Sequence, residues 1–268
     1  MGERSAVERV ESPVTVASLT DDLRDLGVRP GETLLVHASL SALGWVAGGA
    51  PAVVDALRAA VTDDGTVVVP THTTQYSDPA AWSNPPIPAD WVETIETARP
   101  AYRPDVTPTR AVGAVPECFR TYPDAVRSRH PIYSFSAWGD EADAIVADHS
   151  YDYGLGDDSP LGAIYERGGR VLMPGTGYDT NTSLHLAEHR ANFPKTTVST
   201  EVPIRRDGER TLIECTDIET STDDFEAVGA AFESRHDVTT GTVGAAGATL
   251  LDQRALVDFA TEWFGEHR

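Results

Sequence analysis

Apolar positions along the 268-residue chain switch between two periodicities, and the switches lay out the fold. Ser18–Leu26 carries its apolar residues at helical spacing and predicts a short amphipathic helix, with Ser18 or Thr20 as its cap. Gly31 leads into Thr33-Leu-Leu-Val-His37, an apolar run of strand length. After a glycine-rich turn, Pro51–Val61 returns to helical spacing, with proline in the first turn, where a backbone N–H has no partner to lose. Asp64-Gly65 then turns the chain into a second buried strand, Thr66–Val69. Strand, helix, strand at this spacing predicts a βαβ unit and a parallel sheet.

Beyond it, residues 73–108 are rich in Pro, Asp and Trp and carry one short helix, near Ala89–Ala98. So long an irregular stretch is usually functional, and three prolines within Asn84–Pro88 stiffen it. Val112–Tyr122 and Glu141–Asp148 read as helices. Gly168-Gly169 precede a core strand, Arg170-Val-Leu-Met173, and after GTGYDT a helix opens over Asn181–His189. In the last third, Thr196–Ile204 and Arg210–Cys215 alternate around Asp207-Gly208, the signature of a β-hairpin. Phe225–His236 and Gln253–His267 read as amphipathic helices around a Gly- and Thr-rich strand, Thr240–Leu251. With no repeat, low-complexity tract or linker, residues 1–268 are expected to form one α/β domain.

Composition adds three restrictions. No stretch approaches the ~18 apolar residues of a membrane span, and the N-terminal MGERSAVERVESP lacks the apolar region of a secretory signal. The expected location is therefore the cytoplasm, with Cys118 and Cys215 reduced. Lys and Arg total 21 against 42 Asp and Glu, a formal charge of −21. That field repels nucleic acid and anionic membranes, so neither is an expected partner. Acids spread over the whole chain, with Lys195 as the single lysine, are read as adaptation to high salt, where self-repulsion is screened.

The chemistry concentrates at two predicted strand ends, where open α/β sheets bind ligands. NTSLHLAEH, residues 181–189, contains H-x-x-E-H, the inverted zinc-peptidase pattern, with His185 and His189 four apart. The same residues place His185 and Glu188 on one helix face, where a carboxylate tunes an imidazole as a general base without a metal. The metal-free alternative is favoured, because no acidic third ligand stands out downstream. HASLSALG, residues 37–44, sets hydroxyls and backbone N–H groups ahead of a helix, suited to an anion or a developing oxyanion. Arg110, Arg127 and Arg129 are local cations that a phosphate-bearing cofactor would need in so acidic a chain.

From about Thr33 to His189 the segments follow one another in a known order: HASLSALG; VPTHT then YSDPAAW; Trp91 and Ile95 ahead of RPAYRPDVTPTR; GAVPECFR; SRHPIYSFSAWG; DDSPLGAIYERGGRVLMPGTGYDTNTSLHLAEH. In this the chain resembles the aminoglycoside 3-N-acetyltransferases, the antibiotic N-acetyltransferase family. The resemblance implies a three-layer α/β/α-type core with a mixed, partly parallel sheet, distinct from the GNAT fold. It implies acetyl-CoA as co-substrate, no metal, and direct acetyl transfer to an amine, foremost the 3-amino group of an aminoglycoside. His185 would be the base and Glu188 its partner. Ser39, Leu40 and Ser41, with His37 at the head of their loop, would hold the pantetheine and thioester end of CoA. Arg110 and Ser134 would help line the CoA channel. Asp78 and Asp179 are candidates to receive a cationic acceptor, with the wall of the acceptor site expected from residues 75–104. A zinc hydrolase built on HLAEH and a non-catalytic CoA- or amine-binding protein are the alternatives.

Overall fold

The computed structural model describes residues 3–83 and 85–268; Met1, Gly2 and Asn84, which opens the proline-rich run, lie outside them. A short helix α1 (Glu3–Val7) precedes α2 (Val16–Asp25). The cap of α2 is Thr15, not the expected Ser18 or Thr20. Thr15 Oγ1 accepts from Ser18 N at 3.1 Å, and Ser18 Oγ accepts from Thr15 N at 2.9 Å. This reciprocal box starts the helix before the apolar repeat becomes legible.

The βαβ unit is present as β1 (Thr33–Val36), α3 (Ala50–Val61) and β2 (Thr66–Pro70), with β1 and β2 parallel. There follow α4 (Val92–Ala98), α5 (Ala114–Phe119), β3 (Val126–Arg127), β4 (Phe135–Gly139), α6 (Ala142–Ala147) and α7 (Pro160–Glu166). β5 (Arg170–Pro174) and α8 (Ser183–Arg190) lead to the hairpin β6 (Thr197–Arg206) and β7 (Glu209–Ile218). The chain closes with α9 (Phe225–Glu233), β8 (Thr239–Val243), β9 (Ala246–Asp252) and α10 (Gln253–His267). The main sheet runs β3-β4-β2-β1-β5-β9-β8; β2, β1 and β5 are parallel at its centre, and β4 and β9 flank them antiparallel.

The period of two along each strand makes three layers of this. Leu34, Val36, Val67, Val69, Leu172 and Leu250 face one core with the buried sides of α2, α3 and α5. Leu35, Val68, Val171, Met173 and Leu251 face the other, against α6, α7, α8, α9 and α10. The expected three-layer α/β fold with a mixed sheet is the fold found.

Several elements differ from expectation. Thr240–Leu251 is two strands, because Gly244 at φ 57° turns the chain where an added Cβ would lie 2.5 Å from Leu43 O. β3 and β4 escape a pattern reading because β3 is two residues long and the buried Ser136 of FSAWG interrupts the apolar run. α7 is short and fixed chiefly by Ser159, whose hydroxyl accepts from Leu161 N at 3.2 Å.

The β6–β7 hairpin forms a separate two-stranded sheet, turned at Asp207-Gly208 with φ 52° and 85°. Positive φ at both central residues suits the strand twist. The irregular 74–104 segment docks on this hairpin. Arg99 Nη2 donates to Glu201 O at 2.8 Å, Tyr102 N donates to Pro203 O at 2.8 Å, and Tyr76, Tyr102, Val202 and Cys215 share a third small core.

Candidate active site

Three central parallel strands end on the same side, and each delivers a histidine. His37 follows β1, His72 stands two residues beyond β2, and the loop after β5 leads into α8 with His185. The loops are stitched together. Ser39 N donates to Pro174 O at 3.1 Å, Thr176 Oγ1 donates to His37 O at 2.9 Å, and Thr182 Oγ1 lies 3.4 Å from His37 Nε2. Gly175, at φ 76°, permits the contact, since a Cβ there would meet Ala42 Cβ at 2.5 Å.

α8 begins at Ser183, whose N–H donates to Asn181 Oδ1 at 3.0 Å, so the capping oxygen is that of Asn181. Its start is also held from outside. Gly229 of α9 lies so close to the Tyr178 ring that an added Cβ would come within 2.2 Å of it. Gly229→Ala is expected to cost about 1–3 kcal/mol by overpacking, read as a lower unfolding midpoint; an unchanged midpoint would show that the ring has room to move.

One helical turn brings His185 Nδ1 onto Glu188 Oε2. The carboxylate is fully buried, and its other oxygen accepts from Ser221 N at 3.1 Å and from the Arg268 guanidinium. Burial alone would raise the Glu188 pKa, but His185, Arg268 and the Ser221 N–H together outweigh it and hold the group below its ordinary value. A carboxylate at Nδ1 favours the tautomer with the ring proton there, which would leave Nε2 as the acceptor. His185 also packs against the Phe225 ring, centroids 5.0 Å apart.

His189 turns elsewhere. Its Nδ1 meets His185 O at 2.7 Å and its Nε2 meets Asp217 Oδ1 at 2.8 Å, tying α8 to β7. The two imidazoles of H-x-x-E-H are thus each paired with a different carboxylate, and they do not converge on a common point.

Ser39, Leu40 and Ser41 line a cavity of about 420 Å³ together with Arg9, Trp45 and Gly113. The Leu40 and Ser41 amides donate to no acceptor among the described residues, so two N–H groups stand available at its wall. His37 is buried beside this loop, and its pKa falls to about 3, through burial first and His185 second. His72, which motif reading did not single out, falls to about 3 for the same reasons, with His37 and His149 adding to it. Neither ring nitrogen of His72 has a partner among the described residues. The rule that ligands gather at parallel strand ends, applied to VPTHT, was the available signal for it.

The remaining candidates lie apart from that cavity. The Arg110 guanidinium covers the Trp82 ring at 4.8 Å, while its backbone N–H donates to His72 O at 2.9 Å. Ser134 is fully buried, donating to Thr71 O at 2.7 Å and accepting from Arg127 Nε at 3.1 Å. Asp78 caps a 3₁₀ turn through Ala80 N at 2.8 Å. Asp179 is exposed in the turn before α8, its N–H donating to Glu226 Oε1 at 3.1 Å.

The likeness to known proteins runs along nearly the whole chain. The profile of the aminoglycoside 3-N-acetyltransferases matches residues 35–265. The SPbeta prophage-derived aminoglycoside N(3')-acetyltransferase-like protein YokD of Bacillus subtilis is 43% identical over 97% of this chain and 96% of its own. Its crystal structure superposes with a TM-score of 0.95 at 42% identity, over 98% of each chain. Aminoglycoside N(3)-acetyltransferase VII of Streptomyces paromomycinus is 37% identical over 99% of this chain and 96% of its own. AAC-IIIb, solved as a binary complex with CoASH, gives a TM-score of 0.85 at 32% identity, over 95% of this chain and 97% of that one. A strand-end histidine–carboxylate pair, a neighbouring serine loop and these likenesses make the chain an acetyltransferase of the aminoglycoside 3-N-acetyltransferase family.

Proposed function

We propose that residues 1–268 act as one domain that transfers acetyl from acetyl-CoA directly to an amine, foremost the 3-amino group of an aminoglycoside. The observation that carries this is the His185–Glu188 pair, held beside a loop whose Leu40 and Ser41 amides remain undonated. CoASH in the related AAC-IIIb supports the donor, and the named activity of the Streptomyces relative supports the acceptor class.

An aliphatic ammonium with a pKa near 10.4 cannot attack a thioester until it loses a proton. In this reading the acceptor enters as the free amine, its ammonium proton lost to solvent, and His185 Nε2 takes a second proton from the attacking nitrogen as its lone pair bonds to the thioester carbon. Leu40 and Ser41 N–H groups receive the developing oxyanion, an effect of about 2.7–4 kcal/mol per donor in enzymes where it has been tested. The C–S bond then breaks, and the imidazolium returns a proton to the leaving thiolate. Amide and free CoA thiol are the products, and no acyl-enzyme is formed. Ser39 and His37 hold the thioester arm, and Asp78 and Asp179 are the carboxylates that receive the cationic acceptor.

In molar salt, the purified protein is expected to release thiol from acetyl-CoA only when an amine is present, with acetylated amine found by mass spectrometry. A panel of aminoglycosides and simple diamines ranks the acceptors. The rate is expected to withstand chelator; stoichiometric zinc lost together with activity would replace this reading with a metal hydrolase. CoA binding with no turnover on any amine would leave a binding protein.

A further inference from the structure

Arg268 lies 80 positions from Glu188 in sequence and yet closes its carboxylate. Its Nε donates to Asp224 Oδ2 at 2.8 Å and its Nη2 to Ser221 O at 3.1 Å, while the guanidinium lies 4.1 Å from the Phe264 ring centroid. The side chain is 16% exposed, against 0% for Glu188. The end of α10, the loop ahead of α9 and α8 are therefore joined at one cation, whose planar fork reaches two carboxylates.

Charge counting shows what that cation does. With His185 neutral, Glu188, Asp224 and Arg268 leave the cluster one negative charge in excess; a proton on His185 balances it. Two sites could take that proton, the Glu188 carboxylate or His185 Nε2. Only the second makes His185 a base toward a substrate. A protonated Glu188 would donate to Nδ1 and force the proton of the neutral ring to Nε2, the tautomer that cannot accept from an amine.

We propose that Arg268 is a positioning residue that keeps Glu188 ionised, and thereby keeps His185 in the Nδ1–H tautomer with Nε2 free to accept a proton. The proposal rests on the general-base reading given above. Other groups that sense the pair do not substitute for it. Lys195 is bound to the His189 and Ala191 carbonyls, His37 and His72 stay neutral, Tyr133 is buried and un-ionised, and Asp224 is negative.

Long-range ¹H–¹⁵N NMR of the imidazoles reads the tautomer whether or not any amine turns over, so failure here is separable from failure of the proposed reaction. Wild type near neutral pH is expected to show His185 as Nδ1–H. Arg268→Met is expected to shift it to Nε2–H, lower kcat on the order of 10- to 100-fold with KM for acetyl-CoA unchanged, and recover as pH rises and Glu188 ionises. Arg268→Lys, which retains the charge, is expected to restore the wild-type tautomer. Arg268→Gln replaces the Met variant if that chain does not fold. A tautomer unchanged in Arg268→Met or Arg268→Gln, or a loss of kcat equal at every pH, would overturn the proposal and leave Arg268 a fold contact.

Discussion

His185→Ala is expected to lower amine-dependent turnover of acetyl-CoA by about 10²–10⁴-fold, the contribution of a positioned general base. The loss should fall on kcat, with KM for acetyl-CoA little changed, because the serine loop and its cavity belong to β1 and not to α8. No neighbouring group can stand in. His37 and His72 are the other imidazoles at these strand ends, and with pKa values of about 3 they are too weak as bases to take a proton from the attacking nitrogen. His189 has both nitrogens engaged. Glu188→Gln would be a less discriminating variant, because it strips the Arg268 guanidinium of a buried anion as well as disturbing the base. Steady-state thiol release with the best acceptor of the panel measures the effect. Wild-type turnover in His185→Ala would remove the imidazole from the chemistry and the proposed mechanism with it.

The βαβ unit, the hairpin turn at Asp207-Gly208 and the span of α10 were legible because each depends on local chemistry: apolar period, turn residues, helix spacing. His185 and Glu188 were legible for the same reason, since three residues on a helix make one turn. The β3–β4 region was not, because β4 owes its place to pairing with β2 and to buried Ser136 and Thr71 hydroxyls that bond each other at 3.2 Å. Arg268, Ser221 and Asp224 were invisible for a stronger reason. Ser221 and Arg268 meet Glu188, and Asp224 meets Arg268, only after α8, α9 and α10 have packed, and nothing near Glu188 in sequence announces them. His189 illustrates the opposite error that a short motif invites. Its spacing fits a metal pair, whereas its partners are a carbonyl and Asp217 across the hairpin.

The fold should also be unusually sensitive to mild acid, because four histidines are held in neutral form, His37 and His130 buried and His72 and His149 half-buried. Burial dominates for each: His37 and His72 fall to about 3, His149 to about 4, and His130 well below its ordinary value. Geometry agrees for the last two. His130 Nδ1 accepts from Ile132 N at 3.1 Å and Tyr133 N at 2.9 Å, so protonating it would break both bonds. His149 is held between Ser128 Oγ at 2.9 Å and Gly154 O at 2.7 Å, with the His130 ring 4.7 Å away. Unfolded, each would take a proton near pH 6.5; folded, each resists. The unfolded chain therefore binds more protons below that pH, and stability falls as pH drops from about 6.5 toward 4. Each such group contributes about 1.4 kcal/mol per pH unit, so four together weigh heavily against a total stability of roughly 5–15 kcal/mol. The depressed carboxyls, Glu188 and the Arg120-paired Glu117, act lower, from the ordinary carboxylate range downward, and do not blur this window. Repulsion among 42 acids would act in the opposite sense as they protonate, and molar salt screens it. Urea midpoints in molar salt are expected to fall steeply between about pH 7 and pH 5, with a shallower slope in His149→Asn. A midpoint level across that interval would mean that these rings ionise freely in the folded chain, and the neutral strand-end environment assigned to His37 and His72 would be wrong along with it.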